Sequence, residues 1–290
     1  MMKPLIETHR QWPYKRSYDL GGGVQLDLGT RTLIMGILNT TPDSFSDGGR
    51  YSNIKAAVAH ACEMAEAGAD IIDIGGESTR PDSDPVTLEE ELRRVVPTVE
   101  AVRKALPNMP LSIDTYKAET ARQALEAGAH IINDVWGFKA DPRMAEVAAE
   151  YGCPVILSHN RHGRDYNELV PDVIADLQES MKIARQSGVR DDSIWLDPGI
   201  GFAKDYDENL VMMGGLSRLS EIGFPVLLGT SRKLFIRQTL TLSADEVVFG
   251  TAATVTLGIA QGCQIIRVHD VRDMKRTAMM ADAVIYRKFT

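Results

Sequence analysis

Polar and charged residues recur directly after short apolar runs in this sequence. They are Asn39, Glu77, Thr79, Arg80, Asp114, Asn133, His159, Asp197, Ser231, Lys233, Arg267 and His269. Carboxylates and amide oxygens accept hydrogen bonds from N–H groups, whereas Arg and Lys donate to phosphate-like oxygens. Gathered in one pocket, they would suit a ligand with N–H donors at one end and an anion at the other.

The cationic residues have the spacing expected of an anion site. Arg267 and His269 are two residues apart and would share one face of a strand. Lys233 follows Gly229-Thr230-Ser231, where a helix is expected to start, and helix N-termini favour anions. Each has a plainer alternative: an interior Arg paired with a carboxylate, or an exposed Lys. Likewise Asp114, Asn133 and Asp197 could each cap the following helix.

The elements that would position these residues alternate regularly. Eight short runs, mostly continuously apolar, predict parallel strands covered on both faces, at 33–38, 70–74, 111–114, 130–134, 154–157, 193–197, 225–228 and 264–269. Amphipathic patterns predict helices at 54–67, 89–105, 118–127, 141–151, 169–187, 208–222, 244–260 and 273–285.

This alternation predicts one α/β domain over residues 1–290, a (β/α)8 TIM barrel, with residues 1–32 as an N-terminal hairpin extension over the lower mouth. A doubly wound open sheet is the alternative, since sequence cannot show closure. In such barrels the active site lies at the carboxyl ends of the strands. The polar residues above follow those ends, so the barrel would bring them together.

Composition excludes several classes of function. A net charge of −8 and a pI near 5.3 give no general bias toward nucleic acid or an anionic membrane. No apolar run is long enough to span a bilayer, and residues 1–16 lack the apolar core of a secretory signal. The three cysteines are far apart, which argues against a disulfide framework or a thiolate zinc site. The cytoplasm is the expected compartment.

Seven motifs in chain order resemble the dihydropteroate synthase family over nearly the whole chain. They are GILNTTPDSFSDG at 36–48, GGESTRP at 75–81, IDT at 113–115, IND at 132–134, DPGIGF at 197–202, GTSRK at 229–233 and RVHD at 267–270. The resemblance implies condensation of 6-hydroxymethyl-7,8-dihydropterin pyrophosphate with p-aminobenzoate, giving 7,8-dihydropteroate and pyrophosphate. It also implies a homodimer formed through barrel helices.

The resemblance implies roles for particular residues. Pterin binding would fall to Asp114, Asn133, Asp197, Phe202, Gly229 and Lys233; pyrophosphate binding to Asn39, Thr79, Arg80, Arg267 and His269; and p-aminobenzoate binding to Thr79, Pro81, Phe202, Lys233 and Leu234. Asp114, Lys233, Arg267 and His269 would be catalytic, and Mg²⁺ would bind near Asn39. Residues 40–51 and 79–87 would form lids.

Two alternatives share the pterin contacts. A pterin-dependent methyltransferase domain would have no use for the Arg267–His269 cradle, and no Asp-x-His-x-x-Gly corrinoid motif occurs in the sequence. A non-catalytic pterin-binding paralogue is the other alternative, because the sequence departs from the family pattern at Leu234. Pyrophosphate release coupled to p-aminobenzoate would separate enzyme from paralogue.

The residues that differ from the family pattern lie mainly where the resemblance places p-aminobenzoate. Leu234 stands where the family usually has Ser, Asp82 where it has Gly, and Ser158 where Met is common. Leu234 removes a hydroxyl donor and adds bulk, so we expect weaker binding of p-aminobenzoate and an altered affinity for sulfonamide-type mimics, with normal pterin chemistry. Leu234→Ser should lower the KM for p-aminobenzoate while leaving pterin affinity unchanged. Steady-state kinetics with an unaltered amine KM would contradict this role for residue 234.

Overall fold

The computed structural model describes residues 11–40, 50–77 and 85–286. The first elements are two antiparallel strands, β1 (Arg16–Asp19) and β2 (Gln25–Leu28), which form the hairpin expected within residues 1–32. Three glycines with positive φ, at 21–23, form the turn between them, a backbone region that glycine enters without steric cost.

The next eight strands within the described residues lie parallel in one sheet. They are β3 (Leu33–Asn39), β4 (Ile71–Gly75), β5 (Leu111–Asp114), β6 (Ile131–Asp134), β7 (Val155–Ser158), β8 (Ile194–Asp197), β9 (Leu227–Leu228) and β10 (Ile265–Val268). Their order is β8-β7-β6-β5-β4-β3-β10-β9. The two end strands meet, because the Leu196 amide donates to the Pro225 carbonyl at 2.8 Å and Leu196 bridges Val226. The predicted barrel is confirmed.

Helices follow the strands around the outside of the sheet. They are α1 (Arg50–Glu66), α2 (Leu88–Ala105), α3 (Ala118–Glu126), α4 (Met144–Tyr151), α5 (Leu169–Gln186), α6 (Tyr206–Gly214), α7 (Leu216–Ser220), α8 (Leu234–Leu240), α9 (Val248–Ala260) and α10 (Val271–Ile285). In the described part of the chain, no helix combines the length and apolar character needed to cross a membrane.

Two helix predictions were wrong in detail. The helix expected at 208–222 is interrupted at Gly215, where the backbone passes so close to α5 that a Cβ atom would lie 2.6 Å from Val170 Cγ2. The helix expected at 244–260 begins only at Val248, and the short α8 precedes it. Thr241 ends α8 with a left-handed φ of 55°, which stops the helical hydrogen-bond ladder.

The inside of the barrel changes character along each strand. The inward residues near the strand starts form an apolar cluster: Leu33, Met35, Ile71, Ile131, Ile156, Trp195, Leu227 and Ile265. Tyr18, Leu26 and Leu28 of the hairpin pack on this cluster, and Trp195 Nε1 donates to the Tyr18 hydroxyl at 3.0 Å. The hairpin therefore covers the amino-terminal mouth, as predicted.

Moving two residues along a strand keeps the same face. From the apolar cluster this leads to Asp73, Asn133, Ser158, Asp197, Gly229 and Arg267. The interior thus passes from an apolar floor to a polar layer within about 7 Å, the rise of two strand residues. Because the apolar cluster and the hairpin cover the amino-terminal side, these polar groups lie toward the carboxyl-terminal end of the barrel.

Candidate active site

The predicted site residues that the structure describes lie at or just beyond the carboxyl ends of the strands. Neighbouring strands place Asn39 beside Gly75, Gly75 beside Asp114, and Asp114 beside Asn133. Arg267 reaches across the interior from β10 and donates from Nη2 to Asp114 Oδ2 at 2.5 Å. Residues from distant parts of the chain therefore lie close together because parallel strands end at one rim.

Arg267 is held by two carboxylates. Besides its bond to Asp114, its Nε donates to Asp73 Oδ2 at 2.6 Å. Asp73 Oδ2 also accepts from Asn133 Nδ2 at 3.1 Å. Burial opposes the charge of Arg267, but the two carboxylates outweigh it and raise the pKa of the guanidinium. Arg267 is thus an interior arginine paired with carboxylates, one of the two alternatives that the sequence left open, and its role in binding an anion stays a prediction.

Asp114 has a pKa close to physiological pH, so its protonated and ionised forms are both populated there. Burial raises the pKa of Asp114 to about 7, and Arg267 opposes that rise. The negative charges of Asp73, Glu91 and Asp134 act with burial. A carboxylate desolvated in this way interacts strongly with any positive charge that develops beside it.

Lys233 and Asp197 form the second charged pair of the pocket. Burial lowers the pKa of Lys233 to about 8, and the nearby Asp197 carboxylate limits the fall. Burial likewise raises the pKa of Asp197, against the influence of Lys233. The Lys233 amine donates to the Ile200 carbonyl and lies 4.7 Å from the centre of the Phe202 ring. Phe202 is therefore positioned as a wall of the same pocket.

The turn after β8 needs its glycines. Gly199 N donates to Asp197 Oδ1 at 2.7 Å, which fixes that carboxylate. Gly199 has a φ of 66°, and a Cβ there would lie 1.9 Å from the His159 carbonyl oxygen. Only glycine allows this approach, so the Asp-Pro-Gly string both presents and orients the carboxylate.

His269 and Ser231 join the last two strand ends. Ser231 Oγ is 3.0 Å from His269 Nδ1 and accepts from the His269 backbone amide at 3.1 Å. Beside them, Arg232 binds both oxygens of Asp270 from Nε and Nη2. These contacts hold the loop after β9 against the end of β10, where a side chain at position 229 would come within 3.8 Å of Arg267 Cβ.

Sequence reasoning missed two buried residues of this region. Asp73 lies within an apolar run. The only signal in the sequence is its alternation with Ile71 and Gly75, which places all three on the same face of the strand. Lys204 follows a loop and resembles an exposed lysine, yet its amine contacts His159 Nδ1 at 2.9 Å and donates to the Gly199 and Phe202 carbonyls, each at 3.1 Å. Burial lowers the pKa of Lys204 to about 7. It holds the turn that carries Phe202.

Some predicted positions lie outside the described residues: Thr79, Arg80, Pro81, Asp82 and most of the proposed lids at 40–51 and 79–87. Leu234 is described, and its side chain is 58% exposed at the start of α8. Ser158 is buried at the end of β7, level with Asp197. The departures at 234 and 158 therefore lie at the rim and in the pocket wall respectively.

Comparison with known proteins agrees with this geometry. Residues 35–269 match the family model described as pterin binding enzyme. Dihydropteroate synthase from Bacillus subtilis is 56% identical over 255 residues, which are 88% of this chain and 89% of that protein.

Two solved structures share the fold. A Clostridium difficile dihydropteroate synthase crystallised with pteroic acid has a TM-score of 0.88 and 46% identity, covering 91% of this chain and 100% of that one. A Xanthomonas albilineans dihydropteroate synthase with 4-aminobenzoic acid has a TM-score of 0.89 and 39% identity, covering 95% and 100%. The chain therefore belongs to the pterin-binding enzyme family and, within it, to the dihydropteroate synthases.

Proposed function

We propose that the chain condenses 6-hydroxymethyl-7,8-dihydropterin pyrophosphate with p-aminobenzoate, giving 7,8-dihydropteroate and pyrophosphate. The observation that carries this proposal is the Asp114–Arg267 contact of 2.5 Å inside the ring that also holds Asn133, Asp197 and Lys233. Acceptors for a heterocycle and a donor for its leaving group thus lie within one cavity. Pteroic acid and 4-aminobenzoic acid in the related structures support the same substrates here.

The pterin would be held by the acidic and amide groups. A carboxylate can accept two parallel hydrogen bonds from a guanidine-like edge, which suits Asp197 or Asp114. Asn133 offers an amide oxygen, and Lys233 can donate to a ring nitrogen or carbonyl. Phe202 would cover one face of the ring. Gly229 leaves space beside Arg267 for the ring to enter.

The pyrophosphate would be held by Arg267 and His269, together with Asn39, Thr79 and Arg80. Among the described residues, no acceptor contacts Arg267 Nη1, while Nε and Nη2 are both bonded. That N–H group remains to bind an anionic oxygen. An arginine already oriented by two carboxylates loses little freedom when the anion arrives, which favours binding.

The chemistry needs charge stabilisation more than a strong base. The bond from the pterin methylene to pyrophosphate breaks, and the electron pair leaves with the oxygen. Ionised Asp114 stabilises the resulting cationic methylene, while Arg267 and His269 stabilise the departing anion. The aniline nitrogen of p-aminobenzoate then bonds to the methylene carbon and releases a proton to solvent.

A magnesium ion fits the donor set at the rim. The described residues contain no cluster of three or more His, Cys, Asp or Glu side chains able to hold a metal. Asn39 offers a single hard oxygen, and Mg²⁺ commonly binds one or two protein oxygens together with waters and substrate phosphates. When bound there, it would neutralise charge on the pyrophosphate.

The amine site would be built from Thr79, Pro81, Phe202, Lys233 and Leu234. Phe202 and Lys233 already lie together, with 4.7 Å between the amine and the ring centre. Exposed Leu234 extends this wall with an apolar surface. Phe202 and Leu234 would contact the aromatic ring of p-aminobenzoate, while Leu234 offers no hydroxyl donor for its carboxylate.

We also propose a homodimer that functions in the cytoplasm. Exposed apolar side chains lie on one face of α9 and α10: Phe249, Leu257, Met279, Met280 and Val284. A second copy covering this face would remove them from water, and sedimentation equilibrium showing only monomer would exclude it. The cysteines at 62, 153 and 263 are unpaired, which suits a reducing compartment.

The proposed reaction is tested by pyrophosphate release. We expect purified protein to release pyrophosphate from the pterin substrate in the presence of Mg²⁺ and p-aminobenzoate, at a rate that depends on the amine. Omission of p-aminobenzoate is the control, and it should abolish sustained release. Tight pterin binding with no amine-dependent release would instead support the non-catalytic paralogue.

Arg267→Ala should weaken pyrophosphate binding by about 10- to 100-fold, the effect of losing a charge-assisted hydrogen bond. Pterin alone should still bind. Calorimetry with each ligand measures both, after circular dichroism has confirmed folding, because two buried carboxylates lose their partner. Arg218→Ala, on the exposed surface of α7, removes the same charge and should change neither affinity. Unaltered pyrophosphate binding by the Arg267 variant would refute its role.

The pH dependence of kcat/KM should be bell-shaped. Below about pH 7 Asp114 gains a proton and loses the charge that stabilises the cation, so the rate should fall. Above about pH 8 Lys233 loses its proton, so the rate should fall again. In Asp114→Asn the acid limb should disappear while a lower residual rate remains. An acid limb that persists in that variant would assign the ionisation to another group.

A further inference from the structure

Asp73 is a charged residue one layer below the pocket rim. It lies on β4 between Ile71 of the apolar floor and Gly75 at the strand end, and its side chain faces the barrel interior. It is fully buried. A charge in this position is costly unless it is paired and hydrogen-bonded.

The contacts of Asp73 decide how Asn133 faces a ligand. Asp73 Oδ2 accepts from Asn133 Nδ2 at 3.1 Å. An ionised carboxylate only accepts hydrogen bonds, so it selects the NH₂ group of the amide. The Asn133 carbonyl oxygen must then point away from Asp73. The amide offers an acceptor, rather than only donors, to a molecule in the pocket.

The same oxygen orients Arg267. Its 2.6 Å contact with Nε fixes the plane of the guanidinium, and Nη2 then lies 2.5 Å from Asp114. Within the described chain, this leaves Nη1 without an acceptor. Without Asp73, the guanidinium could rotate toward Asp114 and make both of its bonds there, as arginine and carboxylate commonly do.

We propose that Asp73 is a positioning residue that sets the hydrogen-bonding character of the pocket, turning the Asn133 carbonyl toward the heterocycle and Arg267 Nη1 toward the anion. The inference rests on the proposed pterin reaction and extends it to a residue below the binding surface. Asp73 Oδ1 has no hydrogen-bond partner among the described residues. Stability alone gives no reason to keep a carboxylate that is only half satisfied.

Ser112 provides a matched control. It pairs with Asp73 in the strand register, is equally buried, and its hydroxyl also lacks a partner in the described structure. It contacts neither Asn133 nor Arg267 through a hydrogen bond. A change at Ser112 therefore perturbs the same layer of the barrel without altering the orientation of either residue.

Asp73→Asn removes the charge with almost no change of shape. We expect the variant to bind 6-hydroxymethyl-7,8-dihydropterin and pyrophosphate each at least about tenfold more weakly by calorimetry, the effect of misorienting one good hydrogen bond. Ser112→Ala should bind both within about twofold of the unmodified protein. Equal affinities in Asp73→Asn and the unmodified protein, or equal losses in both variants, would overturn the proposal.

A second readout separates positioning from simple support of the fold. The charge of Asp73 raises the pKa of Asp114, together with Glu91 and Asp134, while Arg267 lowers it and Lys233 lies nearby. The acid limb of kcat/KM should therefore move to lower pH in Asp73→Asn and stay in place in Ser112→Ala. A loss of stability with an unmoved acid limb would identify Asp73 as structural only.

The unmodified protein supplies a test that does not depend on a variant folding. In a crystal structure with 6-hydroxymethyl-7,8-dihydropterin, the Asp73–Asn133 contact should persist and a ring N–H should face the other side of the Asn133 amide. A broken contact, or a ring acceptor facing that amide atom, would contradict the proposal. If the unmodified protein neither binds the pterin nor releases pyrophosphate, the proposed function itself is wrong. If it does both, the results with the variants test only the role of Asp73.

Discussion

The structure of the site depends on one largely enclosed arginine shared between two buried carboxylates. Arg267 lies 2.6 Å from Asp73 and 2.5 Å from Asp114, both of which are buried, so water screens these charges less than it would at the surface. Breaking such a pair leaves an uncompensated charge and costs about 3–5 kcal/mol. The three side chains therefore hold one another in a single arrangement. Asn133, which bonds to Asp73, belongs to the same unit.

This unit explains how one pocket can serve two opposite charges. In the proposed reaction its carboxylate Asp114 would stabilise the positive charge that develops on the pterin methylene, and Arg267 would bind the departing pyrophosphate. Asp197 and Lys233 form a second pair of opposite charges that also interacts with Arg267. Because these charges are fixed before substrate arrives, little reorganisation is needed during the reaction.

Much of the fold and site follows from periodicity. The continuous apolar runs predict the parallel strands. The polar residues that follow these runs predict the site at the strand ends, which includes Asp114, Asn133, Asp197 and Arg267. Asp73 was not predicted, because the sequence does not show which face of this apolar strand points into the barrel. Lys204 was also missed, because its loop position suggests an exposed lysine, whereas in the barrel it is buried and donates to the Gly199 and Phe202 carbonyls. The interruption of the helix at Gly215 depends on its contact with Val170 of α5, and a contact between distant residues cannot be predicted from local sequence periodicity.

The central claim is that burial, helped by the charge of Asp73 and opposed by that of Arg267, raises the pKa of Asp114 to about 7. Carbon-13 NMR titration of the aspartate carboxyl groups measures this directly, with Asp114→Asn assigning the resonance. The account predicts a midpoint near pH 7 for Asp114 in the ligand-free protein. A midpoint near pH 4, the ordinary value for an exposed aspartate, would contradict it.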